Sequence, residues 1–212
     1  MMLKSIFRKC IFVLTILLGG TPLIAAASDL AVIDQENVPT NMSGLLFPYF
    51  SVGQEFTPEL AGLDTVVLWS RYGPASDTTV QVVIRRGTIT GPVMGASLET
   101  PLTAGWIGEI QFEFPSLVFL MPGSVYVIEL LSVDGDDWFV QYDNNGSYPD
   151  GRMITNGTPS DGIDLWFQEG LIDTVPHDRK SCMDDLWSVM TRTDGSIFEN
   201  QGLCIRYVNT GF

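Results

Sequence analysis

The run Gly108-Glu109-Ile110-Gln111-Phe112-Glu113-Phe114, closed by Pro115, decides the fold class. Ile110, Phe112 and Phe114 alternate with Gln111 and Glu113, so an extended chain here buries one face and wets the other. That is the period of a half-buried antiparallel strand. Working outward, Thr78–Arg86 sets Val80, Val82 and Ile84 against Gln81, Val83 and Arg85 in the same way. Ser51–Phe56, Leu63–Trp69, Leu117–Leu120, Ser124–Val133, Trp138–Tyr142 and Ile163–Gln168 complete the set, separated by Gly, Pro, Asn and Asp. No stretch between Leu30 and Ile172 sustains a helical period. Residues 28–172 therefore predict an all-β domain, an antiparallel β-sandwich of jelly-roll type.

The N-terminus reads differently. Lys4, Arg8 and Lys9 precede an apolar run from Cys10 to Leu18, and Ala25-Ala26-Ala27 closes the segment with small side chains. This order predicts a cleavable secretory signal over residues 1–27, cut between Ala27 and Ser28. The run is shorter than the roughly 20 residues that cross a bilayer, and Gly19, Gly20 and Pro22 break it, so no membrane insertion is expected after cleavage. The expected location is secreted, either periplasmic or extracellular. The whole chain carries 11 basic and 25 acidic residues. Without the leader, 8 basic residues face 25 acidic ones, a net charge of −17, and Lys180 is the remaining lysine. Such a surface repels nucleic acid and anionic lipid, which excludes both as partners.

Cys182 and Cys204 are left as an even pair, which in an exported chain reads as a disulfide. Residues 173–180 are polar and Pro-containing and read as a linker. Residues 181–212 then form a small cysteine-bracketed module. About thirty residues bury too little core to stand without such a staple.

Two series of residues resemble known exported proteins. Gln54-Glu55-Phe56-Thr57-Pro58, Gly91-Pro92, Phe112-Glu113-Phe114, Pro122-Gly123, Tyr126 and Asp164-Leu165-Trp166-Phe167 resemble secreted bacterial jelly-roll modules of the choice-of-anchor type. The resemblance covers roughly residues 30–170 and implies a fold like that of carbohydrate-binding modules. The family usually carries a C-terminal anchor, a pattern from which this chain departs. Cys182, Trp187 and Phe198-Glu199-Asn200-Gln201-Gly202-Leu203-Cys204 resemble a terminal element of exported bacterial proteins, C…W…F-x-N-Q-G-x-C. Asn200 and Gly202 suit a turn there, and Phe198 with Trp187 can pack on the disulfide.

Few residues point to chemistry. Nucleophilic catalysis needs a histidine positioned by the fold, and His177 stands alone in the linker, with no G-x-S-x-G elbow or free cysteine to join it. No catalytic residue and no cofactor are expected. A glycoside hydrolase using paired carboxylates is the weaker alternative, since abundant acids discriminate nothing. Asp134, Asp136 and Asp137 form a candidate calcium turn, which reads first as a plain hairpin turn rich in turn-formers. Among the aromatic residues, Trp138 and Trp166 read as core or rim. Trp106, beside Gly105, and Tyr148, before Pro149, are the pair expected to be exposed and are the candidate binding residues. The expected role is a non-catalytic module recognising a glycan or cell-surface polymer. A structural or assembly protein of the envelope or extracellular matrix is the alternative, and no motif encodes an oligomeric state.

Intact-mass analysis of the exported product is expected to give a chain beginning at Ser28. A product that still begins at Met1 would refute the leader.

Overall fold

The structure is a computed structural model that describes residues 30–39, 44–46, 51–71, 73–135 and 138–211. The proposed leader, with Ala27 and Ser28, lies outside them, as do Asp136 and Asp137. In chain order the strands begin with Val32–Asn37 (β1), Gly44–Leu46 (β2), Val52–Phe56 (β3), Gly62–Ser70 (β4) and Thr78–Arg86 (β5). Val93–Ala96 (β6), Thr100–Leu102 (β7), Gly108–Phe119 (β8), Tyr126–Ser132 (β9) and Val140–Asp143 (β10) follow. Met153–Thr155 (β11), Thr158–Ser160 (β12), Asp164–Leu165 (β13) and Phe167–Leu171 (β14) complete them.

These strands build an antiparallel sandwich. One sheet runs β1-β14-β4-β8, and the other runs β12-β11-β3-β9-β5-β6 with β7 also on β5. A short ladder, β13-β10-β2, joins them. Alternation explains which faces meet. Phe167, Leu68 and Ile110 are cross-strand neighbours in one row of the first sheet, with Val66 and Phe112 in the next. From the second sheet come Val52, Leu130 and Val82, and then Ile128 with Ile84. All of these side chains are buried in one core, where Trp138 packs on Phe112 at 6.2 Å between ring centroids. The sheets also approach at β6 and β8. A Cβ on Gly95 would lie 2.5 Å from Val118 Cγ2, so only glycine lets the strands come this close.

The alternating pattern anticipated the strands better than their ends. Pro115 was expected to close a strand, yet β8 continues through it to Phe119. Pairing with β4 slips between Leu63, opposite Val118, and Thr65, opposite Glu113. Pro115 falls in this irregularity at a sheet edge, where its missing N–H costs no ladder bond.

The larger departure is at the C-terminus. Asn200 and Gly202, read as turn formers, instead open a helix, Gln201–Thr210 (α1). The Asn200 side chain accepts the Leu203 N–H at 3.0 Å as the N-cap, and Gly211, at φ 75°, closes the helix. Asparagine and glycine serve turns and helix ends equally well. A helix of 10 residues leaves little periodic signal to separate the two uses.

The Cys182–Cys204 disulfide forms, with Cα atoms 5.7 Å apart. It sits in a second apolar core with Leu186, Met190 and Phe198, to which the sandwich contributes Ala61 and Leu171. Trp187 packs against the same cluster, as its sequence context suggested. The bridge spans 22 residues of sequence, and closing such a loop stabilises by about 3 kcal/mol through the unfolded chain. The Cys182→Ser/Cys204→Ser double variant is expected to lose about that much in urea denaturation.

Candidate functional site

The alternation that buries Ile110 and Phe112 turns Glu109, Gln111 and Glu113 onto the outer face of the four-stranded sheet, along its edge strand β8. Strand register extends this face across the sheet. Gln111 lies beside Val67, Val67 beside Gln168 and Gln168 beside Glu36, while Glu109 lies beside Trp69. Gln111 Nε2 donates to Glu113 Oε1 at 3.0 Å, and Gln168 Nε2 to Glu36 Oε2 at 2.8 Å. The half-buried Trp69 ring is propped by buried Trp166 at 5.7 Å. The face thus combines carboxylates, amides and one supported indole.

Each end of the β8 row meets a hollow. Beside Glu109, Trp106 with Thr100, Leu102, Thr103 and Gln111 lines a groove of about 280 Å³. Trp106 is half-buried rather than open, and its Nε1 is shielded without an acceptor among the described residues. Beside Glu113, the Pro115 irregularity opens a cavity of about 240 Å³, also lined by Asp64, Asp173, His177 and Ser181.

Local hydrogen bonds set the electrostatics of this cavity. Asp64, beside the slipped register of β4, accepts the N–H groups of Ile172 at 2.8 Å and Asp173 at 3.1 Å, and the Thr65 hydroxyl at 2.9 Å. Burial outweighs these bonds and holds its carboxyl above the usual carboxylate range. Asp173 goes the other way. Despite a desolvation cost, its hydrogen bond to His177 and the Val175 N–H hold it below the ordinary value. His177 Nε2 stands 2.6 Å from Asp173 Oδ2, so the histidine that stood alone in the sequence has a carboxylate partner in the fold. Asp64 and Asp173 were missed because Ile172 lies 108 positions from Asp64 in sequence. Trp106 and the outward phase of Gln111 and Glu113 were visible beforehand.

Tyr148 requires a correction. Expected to be exposed, it is 6% accessible, edge-on to Phe167 at 5.1 Å. Its hydroxyl donates to Gln35 Oε1 at 3.0 Å, and its N–H to Asp164 Oδ2 at 3.2 Å. Buried acceptors draw it inward despite the following proline, and burial pushes its phenol pKa up. It cannot stack on a ligand in this position. Asp134 is exposed, next to Gly135 at φ 79°. Its two proposed partners in calcium binding lie outside the described residues. Among the described residues, no three His, Cys, Asp or Glu side chains are grouped to hold a metal ion.

No family model matches the sequence, and no curated protein matches it. Among solved structures the chain is similar to a clostridial cysteine protease, Cwp84, after propeptide cleavage, at 11% identity and a TM-score of 0.37, over 59% of this chain and 36% of that one. It is also similar to the cysteine protease and lectin-like domains of Cwp84, a surface-layer-associated protein of Clostridium difficile, at 10% identity and 0.35, over 60% and 32%. This chain spans about a third of the length of those solved chains. Likeness this loose assigns neither activity nor ligand. No helix among the described residues is long and apolar enough to cross a membrane.

Asp64 ties the exit of β14 to β4. Asp64→Ala is expected to leave two amide donors without acceptors and to cost about 1–3 kcal/mol. Hydrogen exchange should quicken at Ile172 and Asp173 first.

Proposed function

We propose that this chain is an exported, non-catalytic module that binds a glycan or cell-surface polymer along the outer face of its four-stranded sheet. The observation that carries the reading is the row Glu109, Gln111 and Glu113, flanked by Trp69 and by the Trp106 groove. Pyranose C–H faces pack on indole rings, while amides and carboxylates bond the hydroxyls between them. An open sheet face suits an extended polymer better than a small molecule, which favours an enclosed pocket. The carboxylates on this face, Glu36, Glu109 and Glu113, favour a neutral or cationic polymer over an anionic one. Export is supported by the basic-apolar-small leader and by the disulfide. The resemblance to choice-of-anchor jelly-roll modules agrees with the same reading.

A specific feature favours a second reading, assembly with other chains. Strand β6 lies at a sheet edge with Val93, Met94 and neighbouring Leu98 exposed, and such edges invite pairing. Light scattering separates the two readings, because a monomer at high concentration counts against assembly.

Affinity electrophoresis in gels cast with neutral polysaccharides is expected to retard the wild type. Trp69→Ala and Trp106→Ala should each weaken retardation at least tenfold, the scale of about 1.4 kcal/mol for a lost stacking contact. Unchanged migration across a broad panel would remove the glycan reading. Release of reducing sugar that disappears in Asp173→Asn would mark a hydrolase instead.

A further inference from the structure

Glu169 has no place in the binding face. It sits on β14 opposite Val66 of β4 and Gln35 of β1, and shares their inward side. Its residue accessibility is 0%, and among the described residues neither carboxylate oxygen meets a hydrogen-bond donor. An isolated buried carboxylate is among the costliest groups a fold can hold, so something must offset its charge.

The group that faces it is another acid. Pairing of β1 with β14 slips between Ile33, opposite Gly170, and Gln35, opposite Glu169. Asp34 is the extra residue, and its carboxylate stands as the side-chain neighbour of Glu169. Asp34 is itself held in place by backbone donors, the N–H of Glu59 at 3.0 Å and of Leu60 at 3.0 Å. The other described groups around Glu169 offer no positive charge. On β4 the neighbour is Val66, and on β1 it is Gln35, whose Oε1 is taken by Tyr148. Tyr148 also lies near Glu169, but its proton is committed to Gln35. Among the described residues, no arginine, lysine or histidine acts on Glu169.

Two ionised carboxylates are both acceptors and cannot bond each other. A protonated carboxyl beside an ionised one can, because its O–H donates. We infer that Glu169 is held as a neutral carboxylic acid whose proton is donated to the Asp34 carboxylate, and that this shared proton latches β1 onto β14. Raising the pH removes the proton, leaves two facing anions at the slip in the β1–β14 ladder, and loosens the N-terminal strand.

The direction of the effect follows from burial first and the Asp34 charge second, both of which raise the Glu169 pKa well above its ordinary value. A raised folded-state value means that the folded chain keeps a proton that the unfolded chain gives up. The stabilisation is therefore complete below the ordinary glutamate range and is lost as pH rises through the folded value.

The test compares wild type with Glu169→Gln, whose amide N–H replaces the carboxyl O–H towards Asp34. Urea unfolding is followed from acid to alkaline pH. For wild type, the unfolding equilibrium constant is expected to rise by up to tenfold per pH unit across the titration. The variant should lack this component. Infrared spectra of the folded wild type at neutral pH should show the carbonyl stretch of a protonated carboxyl group, absent from Glu169→Gln. Should Glu169→Gln fail to fold, Asp34→Asn read by the same infrared band decides, since removal of the acceptor must shift that band. A wild-type protein without the band at neutral pH overturns the inference. Calorimetric binding of calcium by wild type that is lost in either variant would also overturn it, by placing a metal ion where the proton is assigned.

Discussion

Carboxylates buried almost without cations are the constraint on which this sandwich turns. Its closing strands are short: β13 has 2 residues, β2 has 3 and β10 has 4. Ladders this brief contribute little on their own. Acids held by neutral donors fix them instead. Asp143 takes the amide of Asn37 at 3.1 Å and the hydroxyl of Ser147 at 2.6 Å, while Asp164 takes the amide of Gln54 at 3.1 Å. Gln54 in turn accepts the Leu165 N–H at 2.8 Å. Through these contacts β10 and β13 are tied to β1 on one sheet and β3 on the other. The members support one another, because removing one donor leaves a buried carboxylate short of a hydrogen bond.

The same economy shapes the end of the outer sheet face beside Glu113. Asp64 secures the chain leaving β14 with backbone amides alone, and His177 enters only at the exposed pair with Asp173. That pair has 77% and 48% side-chain accessibility, so solvent screens it and it contributes little to stability. Its effect is positional, since it orients two polar groups at the mouth of a cavity. Glu169 is the exception, since no donor among the described residues reaches its oxygens.

How much of this could be read from the residues depends on the range of the interaction. Period-two runs announce strands because each residue's environment is set by its immediate neighbours, and Val80, Val82, Ile84, Ile110 and Phe112 all went inward as the pattern required. The disulfide was legible because Cys182 and Cys204 are the only cysteines outside the expected leader. Strand ends were less so: Pro115 looks like a stop unless the slip opposite Asp64 is known. Of the candidate site, Gln111 and Glu113 were visible as the outward phase of one strand. Trp69, Asp64 and Asp173 join them only through pairing of distant segments. Tyr148 misled because a following proline suggests a loop, while Gln35, 113 positions away, takes its hydroxyl into the interior.

Pro115 has a consequence beyond the cavity it helps to open. At 12 residues β8 is the longest of the described strands, and it borders its sheet. A border of that length, with three Phe residues, is a template on which misfolded copies could stack into fibrils. An imino acid near its middle interrupts the run of available amides, and Glu109 and Glu113 add like-charge repulsion between copies. At high concentration such a chain would resist amyloid seeding through the longest of its described strands.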